Sequence, residues 1–368
     1  MTAAPFKLER YFAQYEFNVA YVLCASDCES LGIRELLAME PSAAEAFPRL
    51  RLGYTESLGS PGLRREISGI YTTVGPEHVL VHSGAEEAIF LFMNAVLTAG
   101  DHLIVHSPCY QSLAEVARGI GCSVTPWTAD EGRGWALDTG ELKTAIRPNT
   151  KAIVLNTPHN PTGYLMDRAS FLETVRIARE RGIVLFSDEV YRESEYDPAD
   201  RLPAACDADE TAVSLGVMSK TYGLAGLRIG WIATRNAALY ARMAVLKDYT
   251  TICSSAPSEF LAEVALRHRR EIADRNIGII RSNLDVLDRL FSRHAGKFEW
   301  KRPRAGSIAF PKLIGADAAA FCHTLVTETG VLLLPGTLFD DAGNHFRIGF
   351  GRKNLPEAAA RLEEFLGK

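Results

Sequence analysis

The sequence contains no long apolar run, and this absence bears on where the protein works. No stretch of the 368 residues reaches the roughly 20 consecutive apolar residues that a membrane-spanning helix needs. The first residues, "MTAAPFKLERYF", also lack the continuous apolar segment of a secretory signal peptide. We therefore expect a cytoplasmic protein that has no membrane partner.

An excess of positive charge is absent as well. The chain has 40 Lys and Arg residues against 45 Asp and Glu residues, which gives a formal net charge of -5. Because nucleic acids and anionic membranes attract basic surfaces, this balance argues against both partners. A small polar metabolite is the expected ligand.

Paired cysteines are missing too. The seven cysteines are scattered along the chain and include no CxxC motif. An odd number with such spacing is typical neither of a disulfide framework nor of a cysteine zinc site. We expect reduced thiols that pack as small apolar groups, and no metal.

What the sequence does contain is an alternation of short apolar runs and amphipathic stretches, beginning near residue 79. Runs such as "VLVHSG", "HLIVHSP", "KAIVLNTP" and "IVLFSDEVY" alternate with "EEAIFLFMNAVL", "SLAEVARGIG" and "SFLETVRIARERG". Buried strands separated by helices predict an α/β fold with a mainly parallel sheet flanked by helices. Such sheets bind ligands beyond the carboxyl ends of their strands, where polar and glycine-containing turns occur here.

After about residue 235 the pattern changes. Long helical stretches such as "ALYARMAVLKDY" and "IGIIRSNLDVLDRLFSRH" come first. Strand-like "KFEWKRP", "GSIAFPKL", "GVLLLPG" and "HFRIGFG" follow, and "LPEAAARLEEFL" reads as a closing amphipathic helix. This order predicts a second, smaller α+β domain.

Three residues near predicted strand ends are candidates for chemistry. Lys220 lies among small residues in "VMSKTYG", where burial would lower its pKa toward that of an imine-forming nucleophile; a surface lysine in a loop is the alternative. Asp188 ends a buried-type strand, where a carboxylate needs a cation such as a protonated pyridine nitrogen, or else caps a helix. Tyr191 would project nearby and donate to a cofactor oxygen.

Two turns complete the set of candidates. Ser83, Gly84 and Ala85 stand at the start of a predicted helix, where free N–H groups and the helix dipole suit a phosphate. Arg228 would add a charge-assisted contact to the same anion. Asn160 lies in a Pro/Gly turn, and turn chemistry alone is the alternative explanation for it.

The ordered segments "SGAEEAIF", "NTPHNPTG", "SDEVY", "SKTYGLAGLRIGW" and "FRIGFG" resemble the pyridoxal-phosphate-dependent aminotransferases of class I/II. The resemblance covers nearly the whole chain and implies fold type I, with a seven-stranded sheet in the large domain. It implies an N-terminal segment over 1–45 that joins the small domain and forms an active-site loop. A cofactor-binding domain over 46–250 and an interdomain helix with the small domain over 251–368 would follow.

The resemblance also implies roles around the cofactor ring. Lys220 would form the aldimine with pyridoxal 5'-phosphate and then move the proton between the substrate's Cα and the cofactor. Asp188 would keep the pyridine nitrogen protonated, which makes the ring an electron sink. Asn160 and Tyr191 would bond the cofactor's phenolic oxygen, and Tyr110 would stack on the ring.

Around the phosphate, the resemblance implies Gly84, Ala85, Ser219 and Arg228 as binding residues. Many members carry a hydroxyl residue three positions before the lysine, whereas this chain has Val217 there. Ser219 directly precedes the lysine instead, so the hydroxyl group does not stand at the position that the family pattern gives it.

Arg347 and Asn160 are implied as substrate-binding residues, with Arg347 on the α-carboxylate. Tyr54 resembles the tyrosine that reaches the phosphate of the neighbouring subunit's cofactor. A homodimer with shared active sites is what that implies.

The N-terminal loop departs from the family. Its usual glycine-proline motif is replaced by "YVLCASDCESLG", which contains Asp27 and Glu29. If this loop closes over the site, these two carboxylates would receive a cationic substrate side chain; a solvated acidic turn is the alternative.

The expected reaction is a ping-pong transfer of the α-amino group from an amino acid to a 2-oxo acid. The alternative is a lyase or a cyclase of the capreomycidine synthase type, because several segments also resemble that enzyme and the cofactor machinery is shared. A regulator that binds DNA is disfavoured, since no helix-turn-helix motif or basic patch precedes the first motif.

Overall fold

A seven-stranded sheet forms the centre of the larger part of the molecule. The computed structural model describes residues 4–367. The strands are β1 (Val79–His82), β2 (His102–Ser107), β3 (Ser123–Thr128), β4 (Thr150–Asn156), β5 (Val184–Asp188), β6 (Val213–Val217) and β7 (Gly230–Ala233). Their order across the sheet is β1-β7-β6-β5-β4-β2-β3. Strand β7 runs antiparallel to both of its neighbours, and the remaining pairs are parallel.

Helices cover both faces of this sheet because its strands are apolar on both sides. In β2, Leu103 and Val105 belong to one apolar core, whereas Ile104 between them belongs to the opposite one. The helices up to the end of the sheet region are α1 (Lys7–Tyr15), α2 (Ile33–Ala38), α3 (Pro41–Ala46), α4 (Pro61–Ser68), α5 (Gly84–Val96), α6 (Ser112–Ile120), α7 (Thr139–Ala145), α8 (Arg168–Glu180), α9 (Ala205–Ala208) and α10 (Ala237–Lys247). The predicted α/β class with a mainly parallel sheet is confirmed.

The smaller region has its own sheets and its own apolar core. Its helices are α11 (Ala256–Arg267), α12 (Arg269–Arg293), α13 (Ala318–Thr329) and α14 (Leu355–Leu366), of which α11 and α12 lead into it from the sheet region. Its strands are β8 (Phe298–Glu299), β9 (Ile308–Ala309), β10 (Lys312–Leu313), β11 (Leu334–Pro335) and β12 (Phe346–Gly349). β10 pairs with β8, and β12 lies between β11 and β9. The expected smaller α+β region is present, although most of its strands are shorter than the apolar runs suggested.

The segment over residues 21–30 is attached to the smaller region by backbone hydrogen bonds. Tyr21 forms a parallel bridge with Val331, and the Gly349 N–H donates to the Leu23 carbonyl at 2.8 Å. A Cβ on Gly349 would lie 1.9 Å from the Ala25 carbonyl oxygen, so only glycine allows this approach. The N-terminal segment is thereby fixed beside β12, at the carboxyl ends of the large sheet's strands.

Within residues 4–367 no helix is long and apolar enough to cross a bilayer.

Candidate active site

A cavity of about 390 Å³ opens where the carboxyl ends of β4, β5 and β6 face the N-terminal segment and β12. Its wall contains most of the residues singled out from the sequence: Ala85, Tyr110, Asn160, Asp188, Tyr191, Ser219, Lys220, Arg228 and Arg347. The predicted crevice beyond the strand ends is therefore where the structure collects these side chains. Gly84 directly precedes Ala85 in the sequence but is not part of the wall, and Tyr54 lies outside the wall as well.

Lys220 follows β6 and directs its amine into the cavity. The Nζ atom donates a hydrogen bond to Ser26 Oγ at 2.9 Å. Burial lowers the pKa of the Lys220 amine, and the Asp27 carboxylate opposes part of this shift. The amine is consequently more easily deprotonated than that of an ordinary surface lysine, which is the requirement for a nucleophile.

Asp188 is the last residue of β5 and is buried at the floor of the cavity. Its Oδ1 accepts a hydrogen bond from the Val190 N–H at 3.2 Å, and no ion pair reaches it from the described residues. Burial raises the pKa of this carboxyl to about 7. A cationic N–H group placed here would supply the missing partner, as a protonated pyridine nitrogen does.

Asn160 and Tyr191 present hydrogen-bond donors that the described residues leave unused. The Tyr191 hydroxyl is buried and makes no hydrogen bond of normal geometry. Asn160 Oδ1 accepts from Arg347 Nη1 at 2.9 Å, while the amide nitrogen of the same side chain has no acceptor in the described part of the chain. Two free donors at one wall suit an oxygen of a bound ligand.

Asn156 is a site residue that the sequence reasoning missed. Its Nδ2 donates to the Asp188 carbonyl at 3.0 Å, and its Oδ1 accepts from the Asn160 backbone N–H at 2.7 Å. Asn156 therefore ties the end of β4 to the end of β5 and fixes the turn that carries Asn160. Its place at the end of an apolar strand, in "VLNTP", was the available signal.

The turn between β1 and α5 has the geometry of an anion site. Gly84 has φ +81°, and a Cβ there would lie 2.4 Å from Arg228 Nη2. A Cβ on Gly230 would lie 2.6 Å from the Gly84 carbonyl carbon, so β7 packs directly against the turn. The first N–H groups of α5 have no intrahelical acceptors. Ala85, in this first turn, lines the same cavity wall as Arg228.

Ser219 and Val217 both lie in the cavity wall. Ser219 stands next to Lys220, and the apolar Val217 occupies the position three residues before the lysine. The contact of Ser219 with a phosphate stays a prediction. Glu87, which the sequence reasoning also passed over, accepts a hydrogen bond from the Ser83 N–H at 2.6 Å and so stabilises the turn from its first residue.

Arg347 projects from β12 and is buried. Its Nε and Nη2 donate to the Cys24 carbonyl at 3.2 and 3.0 Å, and its Nη1 donates to Asn160. Burial lowers the pKa of this guanidinium, yet it faces no carboxylate within ion-pair distance among the described residues. A substrate carboxylate would provide that partner.

Tyr110 lies in the wall beside α1. Its ring packs on Phe6 with centroids 5.1 Å apart, and its hydroxyl donates to Glu9 Oε1 at 3.4 Å. Tyr54, by contrast, is 93% exposed and does not reach this chain's own cavity. Its expected contact with a neighbouring subunit stays a prediction.

The expectation that Asp27 and Glu29 form one pocket for a cation is wrong for this structure. Asp27 lines the cavity but accepts two hydrogen bonds from Arg352 Nη2, at 3.0 and 3.1 Å. Glu29 lies outside the wall, and its Oε2 accepts from the Lys353 N–H at 2.9 Å. The two carboxylates face different partners because the loop runs along β12 rather than projecting as an acidic turn.

Comparisons with known proteins agree with this site. The family model described as "Aminotransferase class I and II" matches residues 23–362. A pyridoxal-phosphate-dependent aminotransferase from Streptococcus suis 89-1591 superposes with a TM-score of 0.94 at 32% identity, over 100% of this chain and 98% of that one.

Cyclases are similar as well. Capreomycidine synthase of Streptomyces vinaceus is 29% identical over 100% of this chain and 94% of its own length. The structure of the pyridoxal-phosphate-dependent cyclase OrfR has a TM-score of 0.89 at 28% identity, over 100% of this chain and 98% of that one. The chain belongs to the class I and II aminotransferase family, whose fold is type I and whose cofactor is pyridoxal phosphate.

Proposed function

We propose that this protein is an aminotransferase that moves the α-amino group of an amino acid to a 2-oxo acid in two successive half-reactions. The observation that carries the proposal is the convergence, in one cavity, of a lysine amine, a buried carboxyl without an ion pair and a buried guanidinium without a carboxylate. Lys220, Asp188 and Arg347 supply these groups. Each matches one requirement of amino-acid chemistry on pyridoxal phosphate.

The unused donors support a fit to the cofactor. In this proposal Asp188 pairs with the ring nitrogen, and Asn160 and Tyr191 donate to the phenolic oxygen. The N–H groups of Gly84 and Ala85, the Ser219 hydroxyl and the Arg228 guanidinium bind the phosphate. Bound there, the cofactor supplies an electron sink for the negative charge that develops at the substrate's Cα.

Lys220 has two functions in this account. Its amine would hold the cofactor covalently, and the freed amine would accept the proton of the substrate's Cα and donate it to the cofactor side of the same substrate. Arg347 orients the substrate by a two-pronged contact to its α-carboxylate, with Asn160 beside it. Tyr110 is the part of the cavity wall on which the cofactor's pyridine ring would stack.

A lyase or cyclase is the second candidate, and the likeness to capreomycidine synthase and OrfR over the whole chain favours it. Both reactions begin with the same proton removal and differ in what leaves the substrate afterwards. The side chains named above serve either outcome, so the product distinguishes the two.

The test is a series of single-turnover reactions with individual amino acids and no oxo acid present. An aminotransferase converts its bound cofactor to pyridoxamine 5'-phosphate and releases one 2-oxo acid per site, which also identifies the donor. A lyase or cyclase regenerates its starting absorbance while ammonia or a cyclised product accumulates. The latter result would reject the aminotransferase proposal in favour of the second candidate.

We further propose the domain boundaries and the assembly. Residues 46–250 form the cofactor-binding domain, and residues 1–45 with 251–368 form the remainder. Tyr54, exposed in one chain, supports a homodimer in which it reaches the partner's phosphate site.

A further inference from the structure

The Lys220 amine has a hydrogen-bond partner in the N-terminal segment. Ser26 Oγ accepts a hydrogen bond from Lys220 Nζ at 2.9 Å, and this is the only hydrogen bond of the amine among residues 4–367. A lysine side chain has four methylene groups and can place its amine in many positions. The hydrogen bond to a single acceptor therefore selects the position of the amine. Ser26 belongs to the loop whose sequence departs from the family pattern.

The backbone that presents Ser26 is held firmly. Its carbonyl accepts a hydrogen bond from Ser307 Oγ at 2.7 Å. On one side, Asp27 is bonded to Arg352, and on the other the Ala25 carbonyl lies against Gly349. The hydroxyl therefore approaches Lys220 from a position fixed by the smaller region.

The same short segment contacts the guanidinium proposed for the substrate's α-carboxylate. Arg347 Nη2 donates to the Cys24 carbonyl at 3.0 Å, two residues before Ser26. Because the Cα of an amino acid is bonded directly to its carboxylate carbon, a carboxylate held by Arg347 brings the reacting carbon to this side of the cavity. Ser26 thus retains the amine near the place where a proton has to move.

Ser26 also adjoins the Tyr191 phenol. Burial raises the pKa of the Tyr191 hydroxyl, while Arg347 and Ser26 oppose that rise. The hydroxyl of Ser26 is accordingly near the Tyr191 hydroxyl as well as the Lys220 amine.

We propose that Ser26 is a positioning residue: its hydroxyl holds the free amine of Lys220 at the substrate side of the cavity, ready to take the Cα proton. This inference rests on the proposed function of Lys220. It assigns a role to the loop "YVLCASDCESLG" that replaces the family's glycine-proline motif.

The first experiment uses the cofactor-free protein, in which the amine is free. The rate at which pyridoxal 5'-phosphate gains its protein-bound absorbance is measured against pH for four chains: wild type, Ser26→Ala, Ser26→Thr and Ser30→Ala. A hydroxyl binds a charged amine more strongly than a neutral one, so Ser26→Ala should move the midpoint of the profile down by about 0.5–1 pH unit. Ser26→Thr keeps the hydroxyl and Ser30→Ala changes an exposed serine of the same loop, so both should keep the wild-type midpoint.

The second experiment uses the loaded enzyme with the fastest amino donor found for the wild type. Ser26→Ala should lower kcat about tenfold, leave KM within about twofold and increase the kinetic isotope effect of the α-deuterated donor, because proton transfer becomes slower. A purely structural role would not raise that isotope effect.

The outcomes separate the two claims. Suppose that the wild type binds the cofactor covalently and that Ser26→Ala has the same pH midpoint and the same isotope effect as the wild type. The role of Ser26 is then refuted, and the proposed function stands. A shift of the same size in Ser30→Ala refutes it too. If the wild type itself forms no covalent adduct, the proposed function fails and the role of Ser26 fails with it.

Discussion

At the scale of single residues, Asp188 shows how a site can be arranged at the expense of stability. Its carboxyl is buried, and burial raises its pKa from 3.8 to about 7 in the absence of a cationic partner. The folded chain therefore binds a proton at Asp188 between pH 4 and 7 that the unfolded chain has already lost. The free energy of unfolding therefore falls as the pH rises through this window, because the folded state binds more protons than the unfolded state.

The first prediction follows from the direction of this pH dependence. Asp188→Asn, which cannot ionise, should make the cofactor-free protein more stable than the wild type at pH 8 by on the order of 2–4 kcal/mol. The difference should nearly vanish at about pH 4, and it is measured by urea unfolding of both chains at each pH. Asp167→Asn is the control, because the pKa of that helix-capping carboxyl is lowered and its pH trend should have the opposite sign. Equal pH trends for the two variants would contradict the account.

The second prediction concerns Arg347, which contacts Asn160 and the Cys24 carbonyl but no carboxylate. Arg347→Ala should raise the KM for the amino donor about 100-fold, because a two-pronged charged contact is lost. The affinity for pyridoxal 5'-phosphate should stay within a fewfold of the wild-type value. Kinetics and cofactor titration on the same preparation check this, and loss of cofactor with a normal KM would show that Arg347 has another role.

Residue types with a chemical signature could be predicted, whereas residues defined by packing could not. Lys220, Asp188 and Asn160 stand in motifs at strand ends, and the structure brings them to one cavity. Ser26 contacts Lys220, which lies 194 positions further along the chain, and Arg352 contacts Asp27, which lies 325 positions before it. No local sequence pattern predicts such distant contacts. The same long-range pairing overturned the interpretation of Asp27 and Glu29 as a cation pocket.

At the scale of elements, the central feature is the close packing of β7 against the start of α5. Gly230 and Gly84 allow the two backbones to touch, so the first N–H groups of α5 and the Arg228 guanidinium converge. The order of elements could be predicted because each strand and helix has its own periodicity. The reversed direction of β7 and the short strands of the smaller region could not, since pairing partners decide them.

The third prediction tests this contact. Gly230→Ala would place a Cβ 2.6 Å from the Gly84 carbonyl carbon, so β7 or the turn must shift. We expect the affinity for pyridoxal 5'-phosphate to fall at least tenfold, with a smaller loss for pyridoxal, which lacks the phosphate.

Gly226→Ala is the matched control, because a Cβ there meets nothing within 4 Å. Both affinities are measured by absorbance titration. Equal losses for the phosphorylated and unphosphorylated ligands in Gly230→Ala would mean that the turn does not select the phosphate.

At the scale of the whole molecule, several large apolar side chains are exposed in the single chain. Tyr54, Tyr249 and Leu52 are 93%, 86% and 82% exposed. The family resemblance implies a homodimer, and we expect exposed side chains such as that of Tyr54 to contact the second copy.

The fourth prediction compares the Tyr54 hydroxyl with that of another exposed tyrosine, Tyr249. Tyr54→Phe should weaken binding of pyridoxal 5'-phosphate about tenfold, since a hydrogen bond to a charged phosphate is lost. The mass of the protein in solution, measured by sedimentation, should equal that of the wild type. Tyr249→Phe, which alters another exposed phenol, should leave the affinity at the wild-type value. A wild-type affinity for Tyr54→Phe would contradict the shared active site.

Covalent attachment of the cofactor to Lys220 underlies the roles proposed for the other residues of the site. The protein is loaded with pyridoxal 5'-phosphate, reduced with borohydride, digested and mapped by mass spectrometry. The account predicts that the peptide with Lys220 carries the reduced cofactor and that the peptide with the buried Lys247 does not. Attachment at another lysine, or at none, would contradict the assignment of the site.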